Sequence, residues 1–590
     1  MRQAETERVK CVALQRHGLR PAEIAETILL AMPCLASAYA LHHTTVAGSD
    51  TLSVEAICLV VGVAVAGFLG CSARLDARLG HDKTIYRSTA GHGITIGITL
   101  VPLTASLITL LIARPDWEQD QRAFGKYILG MLHATYIISS LCAANLVWIY
   151  LFGADFIKRS AFVCGVVGCF VTAAVPYSPF PQSLLSCVPV LFIMTHYIIQ
   201  RVIGNQLTLG ESYIISTLIS LLLLDTICVT LSLVGMWPNV LLFHRGHVAL
   251  FLLAILCGIA LIGILGYPFL SRARAAQEKQ HGGPMHIIYS LLFITISAGV
   301  VFLAVEPWAW LAMGSEPFTW TLGYILDRST WRPYLIIYWV ALISGAIKLA
   351  STWISNASSL PAHINFRRKY FHAIALLLFV PGYILEPELM HLSFSVAMGM
   401  LIYIEYVRIY HVGPVLTETM DRFVHQFMDA RDQSVTLAID DSRKGGINRV
   451  VVISHLSLLI GCAVPVWLVS IISSIDSIPY VLGLAGVLSL GVGDSLASIV
   501  GKSYGRTRWY MRGKTVEGTI GFVTGLWSAM YIVHLYVDSS GYSHDSISSR
   551  SMVVAAVFTG LLEAFSEQND NLVVPLYLFS VLSLTLVWKL

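Results

Sequence analysis

The sequence predicts an all-α, polytopic integral membrane protein with roughly 15–17 transmembrane helices, each long enough to cross a hydrocarbon core about 30 Å thick. Three observations carry that expectation. Hydrophobic residues make up 56% of the 590-residue chain and charged residues only 12%. Its mean hydropathy is +0.71, whereas a soluble surface needs about a quarter of the residues charged. Apolar runs of about 18 residues or more recur along almost the whole length. No alternation of a transmembrane barrel appears, and lipid cannot satisfy open backbone groups, so the spans are expected to be helices.

Taken in order, the expected spans are 23–42, 52–71, 91–113, 127–152, 160–178, 184–200, 212–236, 247–270, 286–312, 333–352, 370–385, 390–410, 450–474, 479–501, 518–537, 552–564 and 572–589. Pro33, Pro176, Pro189, Pro381 and Pro465 fall within them, where neighbouring helices can cover the break. Arg2, Glu5, Glu7, Arg8, Lys10, Arg16 and Arg20 precede the first apolar stretch, and no small-residue cleavage site follows, so the first span is expected to stay attached.

The formal net charge of +3 is too small and too dispersed for a nucleic-acid binder. Cys58, Cys142, Cys164, Cys169, Cys228, Cys257 and Cys462 sit in apolar segments and no C-x-x-C pair occurs, so neither a disulfide framework nor a zinc site is indicated. Residues 1–355 form a multi-span region of unclear role. Its intramembrane polar residues Glu55, Asp225 and His196 read as helix-packing or interfacial groups. Basic clusters, the longest polar loop and the densest polar motif all fall in 356–590, the expected catalytic membrane domain.

Parity gives a topology. Two spans separate Arg367-Arg368-Lys369 from the loop 411–449, two more separate that loop from 502–517, and a further two lead to Glu567, Asp570 and Asn571. Even counts put all four clusters on one face. That face carries thirteen basic residues, among them Arg422, Arg431, Arg443, Lys444, Arg449, Lys502, Arg506, Arg508, Arg512 and Lys514, against Arg550 alone on the other. The positive-inside bias makes the shared face cytosolic. The sequon Asn356-Ala357-Ser358 would lie on that face and is expected to carry no glycan.

Chemistry concentrates in GVGDSLASIVGKSYGRTRWYMRGKTVEGTIG, Gly491 to Gly521. Its glycines allow close backbone approach, and Arg506, Arg508, Arg512 and Lys514 can offer cations to phosphate oxygens. Asp494 lies in an otherwise apolar helix, where a mid-membrane charge costs at least about 2.5–3.5 kcal/mol. A regular helix would hold it about 12 Å below Lys502, so a break is expected near Gly491–Gly493 or Gly501. Such an acid beside a basic loop suits a divalent cation on a nucleotide triphosphate. Gly501-Lys502-Ser503 imitates the tail of a Walker A loop, but Leu496 stands where the first glycine should, and a membrane helix rather than a strand precedes it. The residues alone point to a membrane-embedded phosphate-handling enzyme, with a transporter bearing an anion site as the alternative.

In order and spacing, Asp494, Ala497, Gly501, Gly505, Lys514, Thr515, Glu517 and Gly518 resemble the CTP-binding segment of dolichol kinases. The likeness extends to Arg368-Lys369-Tyr370-Phe371-His372, Glu405-Tyr406-Val407-Arg408, Arg431-Asp432, Ser454-His455-Leu456, Leu562-Glu563-Ala564 and Asp570-Asn571-Leu572. It is dense over about 360–590, and the central motif is shared more loosely with phytol kinases and phosphatidate cytidylyltransferase relatives. Tyr510-Met511 after Trp509, and Gly513 before Lys514, depart from the family pattern, with Arg512 a candidate for the missing charge. The stretch 434–449 looks like an inserted surface excursion.

The resemblance implies transfer of the γ-phosphoryl group of CTP to the terminal hydroxyl of dolichol, at the cytosolic face of the endoplasmic reticulum membrane, for protein glycosylation. Cytidylyl transfer, or phosphorylation of phytol, diacylglycerol or phosphatidate, is the nearest alternative. Under that reading Lys514, Arg506 and Arg508 take the phosphates, assisted by the backbone of Gly501–Gly505. Thr515, Glu517 and Gly518 complete the nucleotide loop 494–518, with Glu517 also readable as a helix N-terminal acid. Asp494 and Asp570 hold magnesium, or one of them accepts the hydroxyl proton. Lys369, His372, Arg431, Asp432, His455 and Asn571 are supporting candidates, and Trp509 either stacks on cytosine or anchors at the headgroups.

Overall fold

The computed structural model describes residues 21–44, 52–72, 75, 87, 91–113, 119–152, 178–203, 206–236, 245–280, 283–356, 362–413, 417, 420, 451–472, 478–509, 514–540 and 547–589. In chain order the principal helices are α1 (Pro21–His42), α2 (Ser53–Gly70), α3 (Ile94–Ile112), α4 (Gln119–Phe152), α5 (Cys187–Ile203), α6 (Leu209–Leu233), α7 (His247–Gln280), α8 (Pro284–Val300), α9 (Glu306–Met313), α10 (Pro317–Leu326), α11 (Arg332–Asn356), α12 (Ala362–Leu385), α13 (Pro387–Ile409), α14 (Ile453–Ile472), α15 (Asp494–Ser503), α16 (Val516–Ser539), α17 (Ser549–Phe565) and α18 (Asp570–Val587). No strand occurs among the described residues; one isolated antiparallel bridge joins Arg508 and Thr515.

Thirteen helices among the described residues are long and apolar enough to cross a membrane, so the protein is all-α and multi-pass. Four of the seventeen expected spans are not among them, for separate reasons. Residues 160–177 of the span 160–178 lie outside the described residues. The span 370–385 is a short apolar end, His372–Leu385, of α12. The helix holding 552–564 has 17 residues. The span 479–501 is not one helix: Tyr480–Gly483, Ala485–Leu488, a π-helical turn Ser489–Gly493 and α15 follow one another. Glycines at 483, 486, 491 and 493 explain the interruption, since each weakens a helix by about 1 kcal/mol relative to alanine.

The chain divides into two compact units, Met1–Cys228 with Ile472–Leu590, and Val229–Ile471. Residue 355, where the sequence suggests a boundary, falls inside the second unit. In the first unit α3 is buried on nearly every side, as expected of a helix apolar all round. Thr104 meets Ser580 of α18 at 2.9 Å, and the Tyr577 hydroxyl donates to the Leu29 carbonyl of α1 at 2.7 Å. The polar residues read as packing groups are used that way. His133 of α4 pairs with Glu55 of α2 at 2.8 Å, His196 of α5 meets Ser216 of α6 at 3.0 Å, and Tyr127 donates to Asp225.

In the second unit the buried Arg408 forks onto Glu405 within α13 at 2.9 and 2.7 Å, and the Val452 N–H donates to the same carboxylate at 3.2 Å. Satisfying both ions inside an apolar bundle is what makes their burial tolerable. Arg332 at the start of α11 binds Glu386 at 3.0 Å and lies over the Tyr324 ring at 3.7 Å.

Candidate active site

The polar motif folds as a helix, a hairpin and a second helix. The π turn Ser489–Gly493 shifts the register of the chain just before Asp494, a distortion often found at functional positions. The expected break is therefore at Gly491–Gly493; at Gly501 the helix continues, and α15 is regular from Asp494 to Ser503. Beyond it, the hairpin closes through Trp509 N–H to the Lys514 carbonyl and Val516 N–H to the Thr507 carbonyl, both at 2.9 Å. Lys502 to Arg508, including Gly505, Arg506 and Arg508, is exposed, giving a basic strap open to solvent. Arg512 lies outside the described residues.

Two side chains tie the strap to α16. Thr515 is the N-cap, its hydroxyl accepting the Gly518 N–H at 3.1 Å. Glu517 in the first turn accepts the Thr507 N–H on both oxygens, at 3.0 and 3.2 Å. Of its two sequence readings, this geometry matches the helix N-terminal acid, which completes the turn by reaching back to the hairpin. The Trp509 indole N–H donates to Thr519 at 2.9 Å, and its ring meets Phe565 edge-on at 5.0 Å.

The glycines serve close packing. A Cβ on Gly518 would lie 2.9 Å from the Thr515 hydroxyl, 3.0 Å from the Ala497 carbonyl and 3.3 Å from the Gly501 Cα. One on Gly501 would lie 3.0 Å from Thr515, and one on Gly521 would lie 2.9 Å from Val500. Gly525 faces Leu496, and Gly505 faces the Gly501 carbonyl. Antiparallel α15 and α16 thus touch along a small-residue stripe, a common way for membrane helices to approach.

That approach delivers Lys514 to an acidic cluster. Its ammonium donates to the Glu563 carboxylate at 2.6 Å and to the Glu563 carbonyl, and lies 3.7 Å from Asp570. Burial works against the charge, but the carboxylates of Asp570 and Glu563, the hydrogen bond to Glu563 and the field of Asp494 outweigh it, so the Lys514 pKa is raised. Strap and 566–569 turn therefore stand at the same end of the first unit, as parity expects. Glu563 contacts Lys514 more closely than Asp570 does, yet as a single acid inside an apolar helix it gave no separate signal beyond its place in Leu562-Glu563-Ala564.

The remaining candidates are placed as follows. Asn571 begins α18 beside Asp570, its N–H donating to the Asn569 side chain at 3.1 Å. His372 is buried in α12, and His455 is half-buried in α14, both in the second unit. Arg431 and Asp432 lie outside the described residues, as does the Lys369 side chain.

Magnesium fits the donor set in one respect and needs help in another. Asp494, Glu563 and Asp570 offer hard oxygens and three formal negative charges against one ammonium. Among the described residues, however, no three acidic, histidine or cysteine side chains are close enough to hold a metal alone. A site using one or two carboxylates plus substrate phosphates is the ordinary magnesium arrangement.

Fold and cluster together define a multi-span, all-helical membrane protein with a lysine held among carboxylates at the end of an exposed basic strap. Residues 164–488, more than half of the chain, match the dolichol kinase family, a match that ends before Asp494. The chain belongs to that family. It is 34% identical over 301 residues to dolichol kinase EVAN of Arabidopsis thaliana, covering 50% of this chain and 48% of that protein. It is 30% identical over 303 residues to dolichol kinase sec59 of Schizosaccharomyces pombe, covering 49% and 56%. With the Homo sapiens dolichol kinase it shares 28% over 439 residues, covering 71% and 73%. The matched part thus spans about half the length of the first two relatives. No solved structure matches.

Proposed function

We propose that the protein is a dolichol kinase that moves the γ-phosphoryl group of CTP to the terminal hydroxyl of dolichol, giving dolichyl phosphate and CDP. The observation that carries this reading is Lys514, held by Glu563 and Asp570 in the field of Asp494, with the exposed Arg506 and Arg508 on the same hairpin. Phosphoryl transfer through a loose transition state requires mainly positioning and charge neutralisation. A water-soluble nucleotide and a long lipid alcohol must meet at the membrane edge, which suits cations on an open strap and acids among helix ends.

In this reading Arg506 and Arg508 draw in the triphosphate and Lys514 turns from Glu563 toward the transferring group. Asp494 and Asp570 would hold magnesium, or one of them takes the proton leaving the dolichol hydroxyl as its oxygen bonds the γ-phosphorus and the bond from that phosphorus to CDP breaks. Bound there, magnesium would supply neutralisation of phosphate charge. Thr515, Glu517, Gly501, Gly505 and Gly518 fix the strap's shape. The cytosolic face of the endoplasmic reticulum is the proposed setting, following the arginine and lysine bias.

Purified protein given CTP labelled at the γ-phosphate is expected to label dolichol. Label from the cytidine moiety in the lipid would instead establish cytidylyl transfer, and solute movement across vesicles without nucleotide binding would establish a transporter. Preference among dolichol, phytol, diacylglycerol and phosphatidate is read in the same assay. Because the Trp509 indole is engaged by Thr519 and Phe565, Trp509→Phe is expected to cost about 1 kcal/mol of stability and to leave the KM for CTP within about twofold. A tenfold rise in KM would return Trp509 to the cytosine.

A further inference from the structure

Four polar segments of the first unit converge on the turn that begins α18. Glu211, in the first turn of α6, is fully buried, and one of its oxygens accepts the Asn569 N–H at 2.6 Å and the Arg87 guanidinium at 2.8 Å. Its other oxygen accepts the Thr208 N–H at 2.9 Å. Arg87 is itself anchored: its N–H donates to the Leu207 carbonyl at 2.9 Å and its guanidinium to the Gln206 carbonyl at 3.3 Å. The buried Gln568 accepts from the Thr208 hydroxyl and donates to the Gly91 carbonyl at 3.4 Å.

The backbone permits no slack here. Gly93 has a φ of +63° and faces the Gln568 side chain, and the backbones of Gly93 and Gly210 touch. The Glu23 carboxylate of α1 receives the N–H groups of His92 and Gly93 at 2.7 and 3.1 Å. Charge-assisted bonds of this length are the strong ones. A buried carboxylate with three donors is also costly to disturb.

What this network grips is the Gln568–Asn569 peptide, one residue before Asp570. Asp570 in turn stands 3.7 Å from Lys514. We propose that Glu211, braced by Arg87, is a positioning residue for Asp570, so that the first 228 residues set the geometry of the phosphoryl-transfer site. The inference rests on the kinase reading given above. It assigns those residues work at the site, since catalytic groups need support that holds them to about half an ångström, and misplacement by about 1 Å can cost a hundredfold in rate.

Glu211→Gln tests it. An amide has one acceptor oxygen where the carboxylate has two, so its NH2 must oppose the Thr208 N–H or face Asn569 and Arg87. The kcat for dolichol phosphorylation is expected to fall about 10–100-fold. In an Asp570→Asn background the same change is expected to cost nothing further, because a residue acting through another loses its effect when that other is gone. Amide hydrogen exchange over 566–571 is expected to quicken at least tenfold, with α16 unchanged. Tyr577→Phe, which removes the bond from α18 to Leu29 away from the cluster, is expected to keep wild-type turnover.

If Glu211→Gln fails to accumulate, Arg87→Lys carries the same arms, retaining the charge and losing the guanidinium fork. Wild-type turnover, a loss that multiplies with that of Asp570→Asn, or unchanged exchange at 566–571 would each overturn the proposal. Should the wild-type protein phosphorylate no dolichol, the kinase reading falls, and the exchange measurement alone decides whether Glu211 holds the turn.

Discussion

Lys514→Ala is expected to lower kcat/KM for dolichol phosphorylation about a thousandfold, the scale of losing a preorganised donor to transition-state charge. The substitution also leaves Glu563 and Asp570 facing each other without their ammonium, so a fold effect must be separated from a catalytic one. Lys514→Ala combined with Glu563→Gln removes one of the two repelling charges. It is expected to melt closer to wild type and to remain inactive. Wild-type rates in either variant would remove Lys514 from the mechanism.

The pH dependence has a definite sign. The Lys514 pKa in the folded protein is raised above its ordinary value of 10.5. What its charge contributes is complete below the ordinary value and is lost only as pH rises through the higher folded value. Between pH 7 and about 9, well below the ordinary lysine range, no fall in kcat/KM is therefore expected from Lys514. A fall centred near pH 8 that disappears in Lys514→Arg would show that the carboxylates do not hold the ammonium as described.

Much of this arrangement was legible in the sequence because its signals are local. Apolar runs marked thirteen helices, and glycine spacing with a lone acid marked the irregular segment before Asp494. Parity put Lys514 and Asp570 at the same end, which their approach in the first unit matches. The glycines were legible as close-approach residues, but not the partner they approach. Spacing cannot say whether Gly501 and Gly518 admit a phosphate or each other. The structure places them against each other and Thr515.

The missing parts are those whose meaning depends on tertiary contact. Glu23 and Glu211 sit in the first turns of α1 and α6, where acidic residues are commonplace, Arg87 lies between α2 and α3 in the chain, and Gln568 and Asn569 resemble any polar turn. Nothing along the chain links Glu211 to Asn569, 358 residues away. Within its spans the N-terminal region holds the packing groups Glu55, Asp225 and His196; the residues that meet the site are outside them or in their first turns.

Gly518→Val tests whether that close approach is what holds the strap in place. Valine's Cβ would need the space now held by the Thr515 hydroxyl, the Ala497 carbonyl and the Gly501 Cα, all within 3.3 Å. Two of these are backbone atoms, which cannot rotate aside, so α15 and α16 must separate. Overpacking of this kind costs about 1–3 kcal/mol, and the upper end is expected because Thr515, cap of α16, is displaced as well. Gly345→Val in α11 is the matched control: a Cβ there meets nothing within 4 Å. Its melting temperature in detergent is expected to stay close to wild type, while that of Gly518→Val falls by several degrees. Turnover should fall further than stability, because a displaced strap takes Lys514 away from Glu563 and Asp570. Equal melting of the two valine variants would mean that the stripe is not the contact that orders the loop.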